Sequence, residues 1–359
     1  MTKHFERKIS TRNQLLGTVI GLVLAAVVFL PVDMYLGYRR LMAQINATEI
    51  KDVFIPDMKL GWVPKPRSIG INRSPGNFDV RYHIDENGFK TVPFKGRAAM
   101  RIFFFGDSYT FGHGVTNSDT FANIIAADYV TPQVQVINTG ATGYGLIQMY
   151  GRFLEIADRL KKNDIVVFAP ISSNLRRNLD DFVFVGQFIF LKKQLNVTHF
   201  PQYVDGSLKP VKLDTLLNRF KTLLFYARFS GRISIRLYRM LLKTDRMDEA
   251  RAMLNTARTL TQKKGAHFVL IFLPSSTECL KGRYDVDLSG FDYIDPRHYF
   301  PTRASGLKNI TFPRDPHWNP KGHALVARAM VDILVTQKKL AVKYLSDSHI
   351  KISGNDSGK

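Results

Sequence analysis

A chain of 359 residues with 51 Lys and Arg against 30 Asp and Glu carries a formal charge of +21, and 45% of it is hydrophobic. That hydrophobic share excludes extensive disorder, and the length suits one large α/β domain or a domain with a sizeable insertion. The single cysteine, Cys279, excludes an intrachain disulfide, while the basic excess points to an anionic neighbour such as phospholipid headgroups, acidic glycan or nucleic acid.

Residues 1–14 are polar and basic, and residues 15–32 (LLGTVIGLVLAAVVFLPV) then run without a charge. As a helix that run spans about 27 Å, near the hydrocarbon thickness of a bilayer. Tyr35 and Tyr38 fall where an aromatic belt would lie, and Arg39 and Arg40 close the segment. The rival reading is a cleaved signal peptide, but no clean small-x-small site follows the apolar run. The expectation is therefore an uncleaved single-pass anchor within residues 1–40, with the rest of the chain on the outer side of the cytoplasmic membrane.

Residues 41–99 read as a preamble of turns and short strands. Asn87-Gly88 is a hairpin-turn signal between alternating segments. Nothing in this region calls for chemistry, and it is expected to pack against a sheet edge.

Residues 100–115 (MRIFFFGDSYTFGHGV) run from a short apolar segment straight into Gly106-Asp107-Ser108. Ile102, Phe103, Phe104 and Phe105 form the continuous run of a strand buried on both faces. A serine just past the C-terminal end of such a strand sits where open α/β sheets carry their ligands. Helix and strand signals then alternate: helix over 120–129, strand over 133–138, helix over 145–160, strands over 164–170 and 267–274. A last helix over 320–335 has Asn319 at its start and Pro320 in its first turn. This alternation predicts a parallel sheet with helices on both faces, over residues 100–338.

A basic insertion is expected at 175–264, which holds 18 basic and 7 acidic residues. Within it Arg228, Arg232, Arg236 and Arg239 fall on one helical face among Phe225, Phe229, Ile233, Leu237 and Met240. Such a helix suits an anionic membrane surface or an acidic polymer, and a solvated helix face beside a core stripe fits equally well. Gly231 interrupts it. Residues 339–359 read as a polar tail.

Asp315-Pro316-His317 lies about 200 residues after Ser108, just before the last helix. A serine needs a base to become a nucleophile, and the base needs a group that fixes its tautomer. Asp315 and His317 supply both from one loop. Here the chain resembles the SGNH/GDSL hydrolase family, in particular its membrane-anchored bacterial members, from about residue 57 to residue 327. The resemblance implies a flavodoxin-like SGNH-hydrolase fold, with Ser108 as nucleophile, His317 as base and Asp315 as the group that orients it.

The resemblance also implies oxyanion donors at the Ser108 N–H, at Gly143 in the block Asn138-Thr139-Gly140-Ala141-Thr142-Gly143, and on an asparagine after the third strand. That third block departs from the family pattern, reading Pro170-Ile171-Ser172-Ser173-Asn174. One alignment puts Ser173 at the asparagine position and another puts Asn174 there; the expectation is placed on Asn174. Asp107 is expected to hold its turn and His323 to pack or cap. No His, Cys, Asp and Glu grouping has metal-ligand spacing, so no metal and no cofactor are expected.

The resulting expectation is an esterase or O-acyltransferase acting on an acylated carbohydrate or lipid outside the cytoplasmic membrane. The alternative is a non-catalytic protein that binds glycan or membrane surface on the same fold. A nucleic-acid partner is not expected, since no recognised motif accompanies the charge.

Overall fold

The computed structural model describes residues 16–21, 32, 35, 36, 39, 49–179, 199–204, 206–212 and 247–346. The chain divides into two units, Ala47–Leu213 with Thr244–Lys359, and Met1–Asn46 with Asp214–Lys243. In the second unit the described residues are all helical and exposed. No described helix is long and apolar enough to cross a membrane; most of the expected anchor at 15–32 and all of the basic helix at 225–240 lie outside the described residues.

The preamble holds five strands: β1 (Glu49–Lys51), β2 (Phe54–Asp57), β3 (Gly61–Pro64), β4 (Ser68–Ser74) and β5 (Phe78–Ile84). β1, β4 and β5 form an antiparallel sheet in that order, and β2 pairs with β3 as a hairpin. The Asn87-Gly88 turn follows β5. Asp85 accepts from the backbone of both Asn87 and Phe89, and Lys90 then bridges Ile84 on one side and Asn138 on the other. This attaches the preamble to the edge of the main sheet.

The main sheet starts with β6 (Met100–Phe105), which runs into the short helix α1 (Ser108–Phe111). Helix α2 (Phe121–Ile124) is capped by the Thr120 side chain and continues as a π-helix over Ile125–Tyr129, so the expected helix holds but changes its winding. Then come β7 (Val134–Asn138), α3 (Leu146–Ala157), β8 (Ile165–Phe168) and α4 (Ser172–Leu179). A hairpin of β9 (His199–Val204) and β10 (Ser207–Lys212) precedes α5 (Met247–Lys263) and β11 (His267–Leu270). The chain closes with α6 (Ser276–Lys281), α7 (Ala304–Ile310), the pair β12 (Thr311–Phe312) and β13 (Asp315–Trp318), and α8 (Pro320–Thr336).

β7, β6, β8 and β11 lie side by side in that order and all run parallel. In order of appearance that is 2-1-3-4, the order of a flavodoxin-like doubly wound sheet. Successive side chains of β6 enter opposite layers. Phe103 and Phe105 pack with Phe153 of α3 and Leu254 of α5, while Ile102 and Phe104 pack with Phe121 of α2 and Met330 of α8. A strand clad on both faces must be apolar throughout, which is why this segment reads as a continuous run.

The expected insertion is shorter than 175–264. Residues 247–263 form α5, whose Ala250, Met253, Leu254 and Ala257 are buried against the sheet as an ordinary crossover helix. Its charges sit on the outer face, so composition alone misplaced the boundary. The tail also begins later than residue 339: Leu340 and Leu345 are buried, and Leu345 bridges Val130.

Candidate active site

β6 is followed directly by Gly106, where an added Cβ would lie 1.9 Å from the Thr110 hydroxyl and 3.1 Å from the Ala169 carbonyl. Only a glycine lets the chain turn this close to its neighbours. Asp107 caps α1 by accepting from the Tyr109 N–H, as expected of a turn-holding residue. Ser108 is thereby presented at the C-terminal edge of the sheet, 1% exposed.

The β12–β13 pair brings the second motif to the same edge. His317 Nε2 lies 2.7 Å from Ser108 Oγ, and His317 Nδ1 lies 2.5 Å from Asp315 Oδ1. An ionised carboxylate only accepts, so Nδ1 carries the proton and Nε2 offers its lone pair to the serine hydroxyl. Burial alone would raise the Asp315 carboxyl, but its hydrogen bond to His317 and the nearby imidazole outweigh that and hold it at about 2. The His317 ring is held between Tyr109 at 4.8 Å and His113 at 4.6 Å, centre to centre. Tyr109 also donates to the Pro316 carbonyl at 3.0 Å, which ties α1 to the base loop. The structure thus brings Ser108, His317 and Asp315 together at one edge of the sheet.

The loop after β7 runs alongside. The Thr139 N–H donates to Phe104 O and the Ala141 N–H to Gly106 O, which keeps residues 139–143 beside the Gly-Asp-Ser turn. Gly143 sits at φ +84°, and its N–H, like that of Ser108, has no acceptor among the described residues.

Asn174 departs from its expected role. It is fully buried, and its two amide protons go to Asp107 Oδ2 at 2.9 Å and to Tyr144 O at 3.0 Å. Its oxygen accepts from the Ile171 N–H. With both protons engaged it has none to offer a substrate; instead it ties the residue before Ser108 to the residue after Gly143. Ser173 is half-buried, and its hydroxyl has no partner among the described residues.

His113, to which the sequence assigns no role, also joins the site. Burial and then the neighbouring His317 push its imidazole down to about 3, so it is neutral. His113 Nδ1 faces Asn72 at 3.3 Å, and Tyr82 accepts from Asn72 and from the Gly114 N–H. Lys90, fully buried, donates to the Gly112 and Val115 carbonyls and lies 4.0 Å above the Tyr82 ring. Asn72, Tyr82 and Lys90 all come from the preamble, so that region builds one wall of the site. The one sequence signal for this was the preamble's strand alternation, which gives packing but not a partner.

His113, Asp315 and His317 bring possible ligand atoms within 4.8 Å of one another, a grouping invisible in sequence spacing. Both ring nitrogens of His317 are already engaged, one by Asp315 and the other by Ser108. The arrangement as it stands is a hydrogen-bonded relay. His323 lies apart, buried, its Nδ1 accepting from the Phe121 N–H.

No family model and no curated protein matches the chain. Among solved structures it is similar to a member of the lipolytic protein G-D-S-L family from Veillonella parvula, at 13% identity and a TM-score of 0.30, covering 66% of this chain and 99% of that one. Similarity extends to a catalytic mutant of Axe2, an acetylxylan esterase from Geobacillus stearothermophilus, at 16% identity and a TM-score of 0.24, over 67% of this chain and 95% of that one. It also extends to LAE5, an alpha/beta hydrolase enzyme from the metagenome of Lake Arreo, at 14% identity and a TM-score of 0.27, over 66% and 95%. The proteins this chain is similar to thus include a G-D-S-L family member, an acetylxylan esterase and an alpha/beta hydrolase.

Proposed function

We propose that this protein is a serine hydrolase of ester bonds in which Ser108 is the nucleophile, His317 the general base and then general acid, and Asp315 the group that fixes the imidazole. One observation carries the reading: the continuous hydrogen-bonded line from Ser108 Oγ through His317 to Asp315. Attack by Ser108 on an acyl carbon passes its proton to Nε2, and the low carboxyl at Asp315 stabilises the imidazolium that results. The leaving alcohol takes that proton back, and water or a second hydroxyl then removes the acyl group from the serine.

Negative charge on the carbonyl oxygen needs donors aimed at it; each one lost typically costs about 2.7–4 kcal/mol of barrier. The free N–H groups of Ser108 and Gly143 supply two, and the Ser173 hydroxyl takes the place that Asn174 leaves open. The resemblance to SGNH/GDSL hydrolases suggests an acetylated or otherwise acylated carbohydrate or lipid as substrate, and the net charge of +21 suits one presented on an anionic polymer or surface. In this reading residues 15–32 anchor the chain in the cytoplasmic membrane with the site on the outer side.

A non-catalytic binding role draws on the same third block, since Asn174 supplies no donor. Hydrolysis of 4-nitrophenyl acetate by the full-length chain separates the two. The esterase reading expects turnover that Ser108→Ala lowers by about 10⁴-fold or more. Equal rates for parent and Ser108→Ala would leave the binding role.

A further inference from the structure

The Gly143 N–H lies in a turn that does not by itself fix where that N–H points. The Tyr144 N–H donates to Ala141 O at 3.2 Å, and with Gly143 at φ +84° the four residues Ala141 to Tyr144 form a type II turn. Type I and type II turns differ by a flip of the central peptide plane, here Thr142–Gly143. Glycine at the third position accepts either sign of φ, so the turn itself does not choose. One orientation sends the Gly143 N–H one way, and the flipped orientation sends it to the opposite side.

What chooses is in the preamble. Trp62 of β3 is fully buried, and its indole Nε1–H donates to Thr142 O at 2.9 Å. Thr142 O and the Gly143 N–H belong to the same trans peptide and point in opposite directions. A donor on the carbonyl side therefore fixes the N–H side. It also polarises the peptide, which strengthens the N–H as a donor. Flipping would break the bond between the buried indole N–H and Thr142 O.

Two further bonds hold β3 against this segment. Tyr144 donates its hydroxyl to Trp62 O at 2.9 Å, and the Gln148 amide donates to Leu60 O at 2.7 Å. Trp62 also packs on the Tyr144 ring at 6.1 Å and on Phe200 at 6.3 Å. Packing explains a large aromatic at this position but not the aim of its one polar atom.

We infer that Trp62 is a positioning residue for catalysis: its indole N–H locks the central peptide of the Ala141–Tyr144 turn so that the Gly143 N–H faces the developing oxyanion. This rests on the reading of Gly143 as a donor. Trp62 touches no reacting atom; it acts through the peptide it holds.

The test replaces the N–H and keeps the ring. The variant that does so puts β-(3-benzothienyl)alanine at position 62, an isostere that lacks only the donor and preserves packing; Trp62→Phe, which also trims the ring, is run beside it. Full-length chains are assayed with 4-nitrophenyl acetate beside Ser108→Ala, together with phenylboronic acid as a tetrahedral mimic. The expected result is a fall in kcat of about tenfold or more, with KM within about twofold. Affinity for the boronate should fall by a similar factor, and the pH profile of kcat should keep its shape, because His317 is untouched. An isostere with unchanged kcat, while Ser108→Ala is inactive, would overturn the inference and leave the esterase reading standing. A Ser108→Ala chain as active as its parent would instead overturn the reading beneath it.

Discussion

The loop that carries His317 holds its geometry within a few residues. Asp315 accepts from both the ring Nδ1 and the backbone N–H of His317, and β13 pairs back on β12 to set the whole hairpin on the sheet edge. The loop that carries Gly143 borrows its geometry from elsewhere. Trp62 reaches it from 80 residues upstream, and Asn174 from 30 residues downstream. Both loops serve Ser108, but one is a local motif and the other a junction of three distant segments. Chemistry that fits in one short loop leaves a short sequence signature; chemistry assembled from backbone N–H groups leaves almost none.

The donor loop is the easier of the two to break. Asn174→Ala removes the tie between Asp107 and Tyr144 and the acceptor of the Ile171 N–H. The expected outcome is a loss of about 1–3 kcal/mol in unfolding free energy. Turnover of 4-nitrophenyl acetate should also drop by about 10–100-fold, as donors shift relative to Ser108. Chemical denaturation and steady-state kinetics on the same sample check both. A loss of turnover with no loss of stability would mean that Asn174 meets the substrate directly after all.

The base loop is better probed by pH. His113 and His323 are buried and held at about 3, against an ordinary value of 6.5, the first by burial and His317, the second by burial and then Lys90. Their native pKa values are depressed, so the unfolded chain binds more protons, and the stability they contribute is present above about 6.5 and lost as pH falls toward 3. Asp315, held at about 2 from an ordinary 3.8, adds a second loss below about 3.8. Denaturation midpoints should therefore be flat above neutral pH and decline through the 6-to-4 range. His323→Asn, which can still accept from the Phe121 N–H, should make that decline shallower. An equal slope in parent and variant would show that His323 does not carry it.

This contrast also explains what could be read in advance. Phe103 to Phe105 are apolar on both faces because both faces are covered, so the strand and its parallel neighbours were legible. Ser108, His317 and Asp315 were legible because two short motifs hold them. The engagement of Asn174 with Asp107 and Tyr144 is not legible in the sequence, because those partners are set by the fold. Asn72, Tyr82 and Lys90 read only as preamble packing, because each acts across a long-range contact. Helix α5 was absorbed into a charged insertion because its buried small residues, Ala250 and Ala257, contribute little to a hydropathy reading.

The central claim is that Ser108 is an activated nucleophile, and covalent labelling reads it most directly. Full-length protein treated with a fluorophosphonate and digested for mass spectrometry should carry one phosphonyl adduct, on the peptide containing Ser108. His317→Asn should lose that adduct while keeping its unfolding free energy within about 1 kcal/mol of the parent. A folded parent chain that takes up label on another serine, or on none, would contradict the account.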